Sequence, residues 1–338
     1  MTVAILHAEM TEDARKDEQD TLVQVEAVSQ ALRELGHDPV AVAFSLNIPE
    51  TMQYLQALQP EIVFNLVEAV AAQGRLIHVA PAILDVLSLP YTGAQTEAMF
   101  LTSNKLLTKR LLHASGFATP PWVSTATLRE EPSITAGRYI VKSVWEDASI
   151  GLSEEAVIEA NSAAELRRML AMKREQCGGE NFAEAFVEGR EFNLALLAGA
   201  HGPEVLPPAE IYFDAYPDGK LRIVDYRAKW EEDSFEYQHT PRRFVFCETD
   251  AALLDRLKIL AEACWRLFDL RGYARVDFRV DQAEVPWILE VNANPCLSPD
   301  AGFMAAAAQA GLSMNQVVER ILYDTDALEE RGSCTRWL

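Results

Sequence analysis

The stretch from Gly272 to Pro295, GYARVDFRVDQAEVPWILEVNANP, alternates polar and apolar residues twice around a short polar link. That period of two, interrupted once, is the pattern of two antiparallel strands with one buried face. In ARVDFRV, Val276, Phe278 and Val280 fall on one face while Arg275, Asp277 and Arg279 fall on the other. In the returning strand, Leu289 and Val291 share a face, and Ile288, Glu290 and Asn292 take the opposite one. Pairing the two strands brings Asp277 and Glu290 together.

Two carboxylates about 4 Å apart repel by roughly 4 kcal/mol at an effective dielectric of 20, so such a pair needs a cation or a proton between its members. Oxygen ligands from Asp, Glu and Asn are what Mg²⁺ takes, completed by substrate phosphates. The same alternation also fits a polar sheet face in water. Against that plain reading stand Arg275 on the same face, where a guanidinium could hold a developing negative oxygen, the Asn-Ala-Asn-Pro turn that ends the strand, and lysines elsewhere suited to phosphate.

Those lysines must do local work, because the chain as a whole is acidic. Its formal charge of −21 over 338 residues argues against a nucleic-acid partner, which needs a basic face. Lys105 opens a helical segment, and Lys142 lies in the apolar strand RYIVKS, where an ammonium must point at something anionic. The segment FAEAFVEGRE reads by itself as an ordinary strand with a turn at Gly189, but its stretch from Glu184 through Phe186 to Val187 also resembles a hinge that meets an adenine edge through its backbone, with Glu191 placed to accept from a ribose hydroxyl.

At 338 residues two or three packed units are expected. VAILH, PVAVAF and EIVFNLV read as strands separated by the helices TLVQVEAVSQALRELGH and IPETMQYLQAL, which is the order of a parallel sheet with crossover helices. Ligands of such sheets sit at the carboxyl ends of the strands, near His7, Asn65 and Glu68. Neither a G-x-G-x-x-G fingerprint nor a Walker loop occurs there. SNKLLTKRLLHASGF reads as a helix capped at Ser103 and stopped by Gly116, DYRAKW as a strand, and DTDALEERGSCTRWL as a surface tail. Five cysteines, at 177, 247, 264, 296 and 334, form no C-x-x-C pair and read as reduced thiols. The N-terminus lacks the features of a signal peptide and no apolar run has membrane-spanning length, so a cytoplasmic protein with no membrane partner is expected.

Taken in order, VFNLVEA, LPYTGA, SNKLLTKRLL, GFATPPW, YIVKSVWEDASIGL, FVEGREF, YRAKWEED, ARVDFRV, LEVNANP and AGLSMNQVVERIL resemble the D-alanine–D-alanine ligase family of ATP-grasp enzymes, from about Glu61 to Leu322. The resemblance implies an α/β (α+β) chain: an N-terminal parallel α/β domain over 1–100, a central lid over 101–183, and a C-terminal subdomain over 184–338 that clamps ATP against the lid. It implies that Lys105 and Lys142 contact the ATP phosphates under a loop containing Ala148, Ser149 and Ile150. Glu184, Phe186, Val187 and Glu191 would hold adenosine, and Lys229 would approach the phosphate from the opposite side. Asp277, Glu290 and Asn292 would carry two Mg²⁺, with Mn²⁺ as a substitute, and Arg275 would stabilise a tetrahedral oxyanion. The implied reaction joins a carboxylate to an amine through an acyl phosphate, with amino-acid or peptide-like substrates, and the implied assembly is a homodimer.

The departures fall on the amino-acid side. HAEMTEDARKDEQD stands where the family has a glycine-rich turn and a glutamate, Glu68 where it has a histidine, and Cys296 and Ala301 where it has a glycine and a serine. Here His7, Glu68, Cys296 and Ser298 are the candidate substrate residues. The acidic run from Glu9 to Asp20, with Glu68, points either to a cationic or amine-rich substrate or to an ordinary solvated surface. A true D-alanine–D-alanine ligase and a nucleotide binder without catalysis remain as other readings.

Overall fold

A computed structural model describes residues 1–10, 16–130, 133–146, 149, 151–177 and 179–325. Ala148 and Ile150, residues 11–15 of the acidic run between Glu9 and Asp20, and the tail from residue 326, which includes Cys334, lie outside the described residues.

Three sheets follow one another along the chain. The first is parallel, with Thr2–Ala8 between Asp38–Phe44 and Ile62–Asn65. Its connections are the helices Lys16–Glu34 and Ile48–Leu58. The first buries Val25, Val28, Ala31 and Leu32 at helical spacing, and the chain turns out of it at Gly36, whose φ of 82° is the left-handed value that favours glycine.

The second sheet is antiparallel, in the order Trp122–Ser124, Asn181–Ala185, Gly137–Ser143, Val157–Ala160, and is backed by the helix Ala163–Met172. The third is also antiparallel, with Arg190–Leu197 and Tyr273–Val280 at its centre, Ala209–Ile211 on one side and Pro286–Asn292 on the other. One face of this sheet, with Phe192, Leu194, Leu196, Val276 and Phe278, packs on the helix Ala251–Leu267. The opposite face is apolar at one end, where Ala195, Leu197 and Tyr273 meet the helices Gly302–Gln309 and Met314–Tyr323. At its other end the same face carries Glu191, Asn193, Arg275, Asp277 and Arg279, all brought into line by the register that pairs 277 with 193 and 279 with 191.

Three sequence-based expectations require correction. Ile288 does not share a face with Glu290: the pairing steps from Asp277–Glu290 to Phe278–Ile288, so Leu289 is an extra residue in a β-bulge. Ile288 therefore joins Val291 in the core, while Leu289 turns towards the cleft with Glu290 and Asn292. Tyr226–Trp230 is a short helix and not a strand, because the Asp225 carboxylate accepts from the Ala228 N–H and closes the first turn. The cap of Lys105–Ala114 is Asn104, whose side chain accepts from the N–H groups of Leu106 and Leu107; Ser103 ends the preceding helix, Thr96–Ser103. No helix among the described residues is long and apolar enough to cross a membrane.

Candidate active site

A cavity of about 470 Å³ opens where the three sheets converge, and its wall draws on separate parts of the chain between Asp20 and Gly302. The strand pair supplies the floor. Arg275 binds Asp277 through two parallel hydrogen bonds, both 2.8 Å, and lies 3.8 Å from Glu290. Asn193, from the neighbouring strand, donates to the same Asp277 carboxylate at 2.8 Å.

Burial alone would raise the Glu290 carboxyl, but the positive charges of Lys105, Lys229, Arg275 and Lys142 outweigh it and hold it well below the usual carboxylate range. Asp277 is pushed upwards, by burial first and by the Glu290 charge, against the pull of Arg275. The two carboxylates thus behave as the strand register demands: they are adjacent, and the protein spends cations to keep them so. Asn292 lies beside them on the cavity wall, and its side-chain oxygen accepts from the Asn294 N–H at 2.9 Å.

Lysines face this floor from two directions. Lys105, at the first turn of its helix, donates to the Glu146 carbonyl at 3.0 Å. Lys142 reaches 2.6 Å from one oxygen of Glu184, and the other oxygen meets Lys109, also at 2.6 Å. Lys229, from the helix Tyr226–Trp230, joins from the opposite wall; burial and the Arg275 guanidinium lower its pKa, while Glu290 and Asp277 oppose the shift. Ser149 adopts a left-handed φ of 61° and donates its hydroxyl to the Val224 carbonyl at 2.8 Å, tying the loop after Lys142 to the segment that carries Lys229.

Phe186 and Val187 line the cavity where the chain leaves the strand Asn181–Ala185. Arg138 and Arg279 lie 5.6 and 5.9 Å from the Phe186 ring. Glu191 is paired with Arg279 at 2.8 Å, and Arg279 also donates to the Gly189 carbonyl.

At the far end of the cavity Glu68 accepts from Gln24 at 2.6 Å. Asp20 accepts from the Cys296 thiol at 2.8 Å and from the Ser298 hydroxyl at 2.7 Å. Burial, with Glu68 and Asp20 beside it, pushes the Cys296 thiol well above its ordinary range, so this wall presents a neutral thiol between two acids. Ser298 is buried behind Asp20 and does not reach the cavity. Nor does His7, a candidate substrate residue from the sequence: it is buried on its strand with its ring hydrogen-bonded to the Ala8 carbonyl. Sequence reasoning had Asp20 only as the end of an acidic run, and missed Asn193 and above all Lys109, which no motif of its own marks.

A family model described as D-ala D-ala ligase C-terminus matches residues 125–323. The chain is 30% identical over 325 residues to a D-alanine–D-alanine ligase from Synechococcus sp. (strain JA-3-3Ab), covering 95% of this chain and 92% of that one. It is 29% identical over 302 residues to the uncharacterized protein y4sG of Sinorhizobium fredii, covering 88% and 85% of the two chains. Among solved structures, a D-alanine–D-alanine ligase from Bacillus anthracis complexed with ATP superposes with a TM-score of 0.69 at 17% identity, over 98% of both chains. Fold, sequence and family model agree: the chain belongs to the D-alanine–D-alanine ligase-like family of ATP-grasp ligases, which form C–N bonds at the expense of ATP.

Proposed function

We propose that the protein joins a carboxylate to an amine through an acyl phosphate, in a site whose amino-acid end differs from that of a standard D-alanine–D-alanine ligase. The observation that carries this reading is the single cavity in which the Arg275–Asp277–Glu290 array faces Lys105, Lys142 and Lys229. A carboxylate oxygen of the first substrate attacks the γ-phosphorus of ATP and ADP departs. The amine nitrogen of the second substrate then adds to the acyl carbon, and the tetrahedral intermediate expels phosphate and loses a proton to leave the amide.

Lys105 and Lys142 orient the phosphates, with the loop around Ser149 above them. Adenosine lies against Phe186 and Val187, and Glu191 accepts from the ribose. Arg275, held in plane by Asp277, takes the charge of the tetrahedral oxyanion, and Lys229 steadies the phosphoryl oxygens from the other side. Among the described residues no group of three or more His, Cys, Asp or Glu side chains gathers as a metal cage. Two carboxylates and a carboxamide fit a hard cation that keeps phosphate and water ligands, so Asp277, Glu290 and Asn292 would hold Mg²⁺ or Mn²⁺. When bound, these ions neutralise the transferring phosphoryl group.

Two acids, Asp20 and Glu68, flank the neutral Cys296 thiol at the amino-acid end. This wall favours a substrate with a further cationic amine besides the α-ammonium that alanine itself carries. The test is ADP release with Mg-ATP across a matrix of amino acids of both hands and basic or diamine partners, with mass analysis of products and Glu290→Gln as the blank. A pair-dependent signal, with a product one water lighter than the sum of its parents, establishes the ligase. Turnover of D-alanine alone to dialanine as the best activity would return the protein to the standard specificity.

A further inference from the structure

Lys109 is almost wholly buried, at 1% side-chain exposure, in the helix Lys105–Ala114. Its ammonium lies 2.6 Å from Glu184 and 2.8 Å from the Thr119 hydroxyl, with the Trp122 ring at 5.8 Å. A lysine that only filled space here would be replaced at no loss by an apolar residue, because burying an ammonium is costly even when it is paired. Its charge therefore needs a use. Glu184, equally buried, offers one oxygen to Lys109 and the other to Lys142. Lys142 lines the cavity and Lys109 does not.

Charge counting gives the consequence. With Lys142 alone, Glu184 would cancel its charge and the pair would meet an incoming anion as a neutral group. Two ammonium groups on one carboxylate leave a surplus positive charge, and the member of the set that can deliver it to the cavity is Lys142. The lysine pair keeps Glu184 anionic against a burial that would raise its pKa, so the carboxylate stays in place as the strut between them.

We propose that Lys109 is a positioning residue for the nucleotide phosphates: it neutralises Glu184 from behind, so that Lys142 enters the cavity as a net cation. This rests on the reading of the cavity as an ATP site. It predicts that Lys109→Met weakens Mg-ATP binding about tenfold, a change of 1.4 kcal/mol. Adenosine, which has no phosphate, should bind as it does to the parent protein. The double variant Lys109→Met/Glu184→Gln removes one charge of each sign; because Glu184 itself lines the cavity, it is read as the ratio of Mg-ATP to adenosine affinity, which should return most of the way to the parent value.

Isothermal titration of Mg-ATP and adenosine into the three proteins, each first checked for a cooperative melt, reads these outcomes. Lys109→Gln, which can still hydrogen-bond Thr119, replaces the methionine variant if that one does not fold. Equal Mg-ATP affinity in the parent and the Lys109 variant overturns the proposal. So does a parallel loss for adenosine and Mg-ATP, which marks a merely structural role, or a double variant no better than the single one in that ratio. Failure of the parent itself to bind Mg-ATP would instead remove the ATP reading of the cavity.

Discussion

Arg275 answers two demands at once. It neutralises a buried carboxylate through a bidentate pair, and the rigid geometry of that pair holds the guanidinium at the cavity wall. Replacing it by Met should lower kcat by about 10²–10³, the range for loss of one preorganised oxyanion donor, with a smaller effect on the KM for ATP. Steady-state kinetics on the best substrate pair check this. Thiol chemistry offers a second test at the residue scale. Burial pushes Cys264 up to about 12 and raises Cys177, and burial with two neighbouring acids raises Cys296, whereas Cys247 is exposed. A raised pKa means less thiolate at a given pH, and the thiolate is the reactive form. Iodoacetamide at pH 8 should therefore label Cys247 well before the other three in the native protein, as peptide mass mapping would read.

At the scale of elements, the hinge between the second and third sheets depends on one glycine. Gly189 has a φ of 149°, and a Cβ placed on it would come 1.9 Å from the Val280 carbonyl oxygen. The obstacle is the backbone of a central strand and cannot rotate aside. Its own carbonyl also accepts from Arg279, the partner of Glu191. Gly189→Ala should cost about 3 kcal/mol or more, in the tail of the distribution for single substitutions, and a denaturant titration would show it. The bulge at Leu289 acts on the same scale: one extra residue turns Ile288 into the core and leaves Glu290 and Asn292 facing the cavity, which plain alternation could not combine.

Across the whole molecule, closure of the cavity relies on contacts between segments distant in the chain. Lys220 sits 2.7 Å from Glu154, beyond the second sheet's loop, and 2.7 Å from Glu236, and both carboxylates raise its pKa. Ser149 bonds the Val224 carbonyl in the same seam. If this seam keeps water from the acyl phosphate, Lys220→Met should raise phosphate release unaccompanied by amide several-fold, with a modest change in ligation rate. Comparing phosphate and amide yields in one reaction decides it.

Much of this architecture was legible in the chain itself. The strand order of the first sheet follows from apolar runs alternating with helical periodicity, and the facing of Asp277 and Glu290 follows from period-two alternation across a short link, because both are local rules of side-chain direction. The clustering of Lys105, Lys142, Glu184, Lys229 and Arg275 came from resemblance, since no local rule joins residues 170 positions apart. Tertiary structure alone decided the rest. It gave the buried Lys109 its partner, because Glu184 arrives on a strand of the second sheet to meet it. It turned His7 and Ser298 away from the cavity, and brought Asp20 and Glu68 to either side of Cys296. Sequence spacing sets which way a side chain points along its own element; which charge it meets is settled only when elements from separate parts of the chain pack together.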